Sequence, residues 1–259
     1  MRNRLKRRLK AAETVCAAWL ELGSPDVAEI LVRSGWDTLV IDCEHGVAGL
    51  EDGLSLIRAV EAAGGDAILR VPDASDATLK RALDRGARSI IVPMVNDVGL
   101  ARQVARACRY PPMGGRGYAA PIVRASGFGE WAGYASEANE EVFLAVQIEH
   151  VDAVPHVADF AAIPGIDMGF VGPNDLAGSM DRLARLDDPD VVAAIAGIER
   201  AAAAAGLPLG TIEGARDAGG LRDAGYRLIL GPNDVSLLAG AAREAAEARD
   251  RALGGAVKG

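Results

Sequence analysis

The sequence predicts a single (β/α)8 barrel, the TIM-barrel architecture, preceded by a short N-terminal helix. Three observations carry that expectation. Eight short apolar, β-branched runs alternate with longer Ala/Leu/Arg stretches of helical period. The 259 residues suffice for one such barrel, and no Pro/Ser-rich linker divides them, so 1–259 reads as one domain. Half of the residues are apolar and only 4% are aromatic, which supplies a large aliphatic core and argues against disorder.

Residues 1–10 read as a short surface helix capping the domain, with Leu5 and Leu9 on one helical face. This segment is basic, as a transit peptide would be, but the first strand follows almost at once. Strands are expected at 14–20, 37–42, 66–71, 88–93, 142–148, 166–171, 207–212 and 226–230. Helices are expected at 25–34, 50–63, 75–85, 97–108, 151–161, 188–205, 214–224 and 235–252. An open doubly wound sheet is the alternative architecture. No Gly-x-Gly-x-x-Gly follows the first strand, which weakens a dinucleotide-binding form of it.

Two segments interrupt the alternation. Residues 109–141 form a long connection rich in Gly, Pro and aromatic residues, and such connections usually carry function or an interface. The tetrapeptide Gly-Pro-Asn-Asp occurs twice, at 172–175 and 231–234, each time between a strand and a helix. A helix N-cap is the plain reading of both Asp175 and Asp234.

Composition excludes several function classes. The net charge is −8 although the first ten residues are basic and carry no acid, so the body of the chain is more acidic still. Such a body suits nucleic-acid backbones poorly. No secretory signal or membrane-length apolar run is present. The three cysteines, Cys16, Cys43 and Cys108, have no CxxC spacing and read as buried, reduced thiols of a cytoplasmic protein. Strand alternation turns Cys43 away from Asp42 and Glu44, against a catalytic thiol.

In a barrel, chemistry belongs at the C-terminal ends of the strands. The polar residues expected there are Glu44, His45, Arg70, Gln147, Glu149 and Asp175. Singly, each has a structural reading as a cap, a loop residue or a rim salt bridge. Together they form a coherent set. The Glu149 and Asp175 carboxylates suit a hard divalent cation such as Mg2+, Mn2+ or Co2+. A bound cation polarises a carbonyl and stabilises an enolate. Arg70 can meet a substrate carboxylate or developing negative charge, and His45 can move protons near neutral pH. The metal-free route to an enolate equivalent needs a Schiff-base lysine. Lys6, Lys10, Lys80 and Lys258 all lie away from strand ends, so that route is disfavoured.

Ordered motifs then carry a resemblance that spans about residues 15 to 245. They are Asp42-Cys-Glu44-His45-Gly, Arg70-Val-Pro, Leu79-Lys-Arg-Ala-Leu-Asp84-Arg-Gly-Ala, Val92-Pro-Met-Val, Tyr110-Pro-Pro-Met-Gly-Gly-Arg-Gly, Gln147-Ile-Glu149 and Gly172-Pro-Asn-Asp175-Leu. With these the chain resembles the HpcH/HpaI class II pyruvate-dependent aldolases. The resemblance implies a metal-dependent aldolase that reversibly cleaves a 4-hydroxy-2-oxoacid to pyruvate, or a related 2-oxoacid, and an aldehyde. It implies a homohexamer built as a trimer of dimers. Glu149 and Asp175 match the metal ligands, His45 the proton acceptor and Arg70 the residue that stabilises the transition state. Gln147, Gly172, Asn174 and Asp175 match positions at the 2-oxoacid. Asp84 matches a carboxylate that a neighbouring subunit supplies to the histidine. Two departures concern the site: His150 stands where Thr or Ser is common, and Asn174 where a small residue is frequent. A CoA-thioester lyase is the second enzymatic reading, weakened by the lack of a basic rim cluster beyond Arg116 and Arg124. A non-catalytic binding barrel is the third.

Overall fold

Eight parallel strands pair in sequence order and the last closes on the first, so the expected (β/α)8 barrel is present and the open sheet is not. The computed structural model describes residues 2–253. The strands are β1 Val15–Leu20, β2 Thr38–Asp42, β3 Asp66–Arg70, β4 Ser89–Val92, β5 Phe143–Ile148, β6 Met168–Val171, β7 Leu209–Ile212 and β8 Tyr226–Asn233.

Strand alternation sorts the apolar residues into two cores. Val15, Ala17, Trp19, Val40, Ile68, Ile91, Ala145, Phe170, Leu228 and Leu230 fill the barrel interior. Their neighbours of opposite parity, such as Leu39, Ile41, Leu69, Ile90 and Val146, pack outward beneath the helices. The N-terminal helix α1 (Arg4–Lys10) is more than a surface cap. Its Leu5 and Leu9 are buried in the interior cluster and close one end of the barrel. The same parity, continued toward the other end, turns Asp42, Arg70 and Gln147 inward.

The connecting helices are α2 Pro25–Arg33, α3 Leu50–Ala62, α4 Asp76–Asp84, α5 Val98–Ala107, α6 Tyr134–Glu141, α7 Val157–Ala161, α8 Pro173–Ser179, α9 Pro189–Ala205, α10 Ala218–Asp223 and α11 Asp234–Ala252. Two of these, α6 and α8, fall where the sequence predicts only a connection. Each is about two turns long, too short for a periodic apolar pattern to register. The helix expected at 151–161 is split into a 3-10 segment, Val151–His156, and α7, with Pro155 inside the former. Proline has no amide hydrogen for a continuous helix.

Neither repeated aspartate is a helix N-cap. Gly172 and Asn233 hold the N-cap positions, and Asp175 and Asp234 lie in the first turns of α8 and α11. The buried Asp234 instead accepts the backbone amides of Glu21 and Leu22 at 2.9 and 3.0 Å. It thereby ties the β1–α2 loop to the start of α11. Beyond Asp234, α11 buries none of its described residues and exposes Val235, Leu237 and Leu238. Cys16, at the start of β1, is exposed, contrary to the expectation that all three thiols are buried, whereas the outward-facing Ala18 and Leu20 further along the strand are fully buried. Cys43 and Cys108 are buried as expected. Among the described residues, no helix is long and apolar enough to cross a membrane.

Candidate active site

Asp42 and Arg70 end adjacent strands in direct register. Arg70 donates through Nε and Nη2 to the two Asp42 oxygens at 2.8 and 2.5 Å. Its Nη1 lies 3.2 Å from Glu44 Oε2, and its guanidinium carbon sits 4.5 Å from the centroid of the Trp19 ring. The planar cation is therefore held by a bidentate carboxylate along its edge and an aromatic ring against its face. Asp42 is fully buried and also accepts the amides of Glu44 and His45 at 3.0 and 3.3 Å. Burial alone would raise the Asp42 carboxyl. The bonds from Arg70, with help from Glu21 and the Glu44 amide, reverse that and hold it below its ordinary range.

Two strands beyond β3 round the barrel, Glu149 follows β5 and is buried. Its Oε1 accepts the Met94 amide at 2.6 Å, and its Oε2 accepts the Gln147 side-chain amide. Met94 adopts φ 53°, the left-handed region that a β-carbon disfavours, and this local turn contains the amide that meets Glu149. Gly172 closes the other side. A β-carbon there would lie 2.8 Å from both Glu149 Cβ and Oε2, so only glycine fits. Burial, foremost, pushes the Glu149 carboxyl up to about 7 against the Met94 bond, and the Glu44 and Asp175 carboxylates add to the rise.

That electrostatic coupling brings Asp175, on α8, into the same group as Glu149 and Glu44. Asp175 and Asn174 are exposed at the rim. His45 also stands at the rim with 65% of its side chain exposed, its Nε2 3.8 Å from Glu44 Oε1. His150 is turned to local work, its Nδ1 accepting the Asp152 amide at 3.2 Å. Cys43 faces outward as alternation requires, and burial pushes its thiol up to about 12, which leaves no thiolate for catalysis.

The rim group fits a hard divalent cation. The buried oxygen Gln147 Oε1 lacks a hydrogen-bond partner, and Glu149 is held where its charged form is disfavoured. A cation would relieve both conditions. Among the described residues no three His, Cys, Asp or Glu side chains converge as a ready ligand set. Glu149 and Asp175 would therefore be joined by water or substrate oxygens, as suits such ions.

Asp84 is not part of this group within the chain. It ends α4, and the turn after it leads into β4 at the opposite end of the barrel from the rim. There it accepts from Arg116 Nη2 at 2.6 Å. The buried Arg116 also donates to Tyr134 at 3.2 Å and lies 4.4 Å from the centroid of the Tyr110 ring. Arg124 is paired with Glu61. Both arginines that a CoA phosphate would need are thus bound by carboxylates. Asp42, which ends a predicted strand and lies within a quoted motif, completes the site with Met94 and Trp19, although the sequence assigned a role to none of the three; the parity of Asp42 with Arg70 on the neighbouring strand is the signal that could have done so.

Comparison with known proteins agrees with this architecture. The family model described as HpcH/HpaI aldolase/citrate lyase matches residues 16–241. A 2-dehydro-3,6-dideoxy-6-sulfogluconate aldolase of Pseudomonas putida is 34% identical over 91% of this chain and 92% of its own length. A hydroxypyruvate/pyruvate aldolase of Paraburkholderia phytofirmans is 38% identical over 94% of this chain and 96% of its own. The crystal structure of an HpcH/HpaI aldolase/citrate lyase family protein from Burkholderia cenocepacia J2315 superposes with a TM-score of 0.88. It is 40% identical and covers 94% of this chain and 97% of its own.

Proposed function

The chain belongs to the HpcH/HpaI aldolase/citrate lyase family, and from that premise we propose that it is a metal-dependent aldolase acting on 4-hydroxy-2-oxoacids. It releases pyruvate, or a related 2-oxoacid, together with an aldehyde, and catalyses the reverse addition. The observation that carries this reading is the buried polar group of Arg70, Gln147 and Glu149 beside Asp175, in a family whose named relatives are aldolases.

Glu149 and Asp175 would hold Mg2+, Mn2+ or Co2+, with Gln147 and Gly172 shaping the space around them. The cation supplies Lewis acidity toward a 2-oxo group. The chain's own residues do the rest. Arg70, fixed by Asp42 and Trp19, presents its cationic edge to negative charge that develops at the 2-oxo oxygen. The exposed His45 accepts the proton of the 4-hydroxyl as the C3–C4 bond breaks, and returns one in the reverse direction. Asn174 and Asp175, in the first turn of α8, border the 2-oxoacid.

The same reading includes assembly, with 1–259 as one catalytic domain in a homohexamer. The apolar residues exposed on α11 support an interface with other copies of the chain. Asp84, remote from its own rim, would meet His45 of a neighbouring copy and raise its basicity. The three free cysteines suit the reducing cytoplasm.

The test is pyruvate release, coupled to lactate dehydrogenase, over a panel of 4-hydroxy-2-oxoacids. Release that EDTA abolishes and Mg2+, Mn2+ or Co2+ restores is the expected result. Borohydride trapping of a pyruvate adduct on the protein would refute the metal-dependent reading, since only an imine is trapped that way.

A further inference from the structure

Glu21 follows β1 at the rim and has no part in the reading above. Its backbone is tied in two directions. The amide donates to Asp234 Oδ1 at 2.9 Å, and the carbonyl accepts the Val47 amide at 2.8 Å. The first tie reaches the start of α11, and the second reaches the loop that carries His45. Its half-buried side chain hydrogen-bonds the Asp42 carboxylate, the group that holds Arg70.

Two carboxyl groups share a hydrogen bond only when one of them carries the proton. Asp42 is the better anion, because two Arg70 nitrogens and two backbone amides already donate to it. Glu21 faces the carboxylates of Asp42 on β2 and Asp234 on α11, with Arg70 on β3 as the opposing cation. Burial, then the bond to Asp42 and its charge, push the Glu21 carboxyl up to about 8.

We propose that Glu21 is a positioning residue: as a neutral acid it donates a hydrogen bond to Asp42, and through Asp42 it fixes the Arg70 guanidinium at the substrate. An ionised Glu21 would repel Asp42 and compete for Arg70. It would also add negative charge to a rim that already carries Asp42, Glu44, Glu149 and Asp175 and must admit an anionic 2-oxoacid. The kinetic consequence rests on the aldolase reading, whereas the protonation of Glu21 does not.

Two variants and two readouts test this. Glu21→Gln keeps a donor beside Asp42 and cannot ionise, whereas Glu21→Ala has no donor. At pH 7 the Gln variant is expected to keep kcat within about threefold of wild type, and the Ala variant to lose about tenfold, the scale of one charge-assisted hydrogen bond. Wild-type kcat should decline above about pH 8, and this decline should be absent from Glu21→Gln. A purely structural Glu21 would not remove that limb. Independently of activity, 13C NMR of labelled glutamate carboxyls in the Mg2+-loaded protein should show a titration near pH 8 that disappears in Glu21→Gln. If wild type released no pyruvate, the aldolase reading would fail and the NMR midpoint alone would judge Glu21. A midpoint in the ordinary glutamate range overturns the proposal, as does a Glu21→Ala enzyme with wild-type kcat and pH profile.

Discussion

Gly172→Ala places one methyl group against the proposed cation ligand. The new β-carbon would lie 2.8 Å from Glu149 Cβ and from Glu149 Oε2. Comfortable carbon contacts begin at about 3.5 Å, so Glu149 or the backbone must move by roughly 0.7 Å. Residue 172 has φ −98°, which alanine adopts freely, so the effect is steric and not conformational. Glu149 cannot retreat at no cost, because the Met94 amide at 2.6 Å and the Gln147 amide hold its two oxygens. Overpacking of this kind costs about 1–3 kcal/mol, which in a chain of this size lowers Tm by about 2–4 °C per kcal/mol. Displacing a ligand and its supporting bonds should weaken cation binding by about 10–100-fold. Calorimetric titration with Mn2+ measures the affinity, and circular dichroism confirms the fold. The second tetrapeptide supplies the control. At Gly231 a β-carbon meets the far end of the Glu213 side chain at 2.9 Å and Trp36 at 3.2 Å, away from the site. Gly231→Ala should leave Mn2+ affinity unchanged. Wild-type affinity in Gly172→Ala, or equal losses in both variants, would refute the assignment of Glu149.

Asp42→Asn should destabilise the fold by about 3 kcal/mol, because it leaves the buried Arg70 with Glu44 as its remaining ion-pair partner. The folded Asp42 carboxyl lies below its ordinary 3.8, so its contribution is present above that value and lost as pH falls through the folded one; the gap between wild type and variant in urea melts should close in strong acid. With its thiol pushed up to about 12, Cys43 should resist iodoacetamide at pH 7.5 in native protein and react only once the protein is unfolded; mass spectrometry that finds Cys43 modified in the folded protein would contradict its burial. Asp84→Asn and His45→Ala subunits, each inactive alone, should recover pyruvate release when mixed and reassembled. Mixtures that stay inactive despite confirmed subunit exchange would count against the shared site.

What the sequence revealed and what it concealed have separate physical causes. The strands were legible because burial on both faces demands continuous aliphatic runs such as Leu39-Val-Ile and Phe143-Leu-Ala-Val. The inward rim residues followed from alternation, which carries Val40 to Asp42, Ile68 to Arg70 and Ala145 to Gln147. The short helices α6 and α8 were concealed because neither is long enough to repeat an apolar face. Asp234 was misread because a local cap and a reach across to the β1 loop require the same residue type at the same place. The backbone amide of Met94 was invisible in principle, since no side-chain pattern reports which way an amide points. The exposure of Cys16 left no mark in cysteine spacing, and alternation places it on the same face of β1 as the fully buried Ala18 and Leu20.

That last departure bears on how the site is controlled. A (β/α)8 barrel normally lays its last helix over the seam between the final and first strands. Here α11 buries only Asp234 among its described residues, so its apolar side chains and Cys16 at the start of β1 are uncovered together. Covering both with another copy of the chain would remove that exposure and would act on the helix whose first turn holds the Glu21 and Leu22 amides. From Glu21 the contacts run to Asp42, then to Arg70, and through Val47 to the loop of His45. In the proposed assembly the seating of α11 and the geometry of the two residues assigned to charge and proton transfer are therefore mechanically linked. A subunit that lost its neighbours would lose more than Asp84 in trans, because the support behind its own Arg70 would loosen as well.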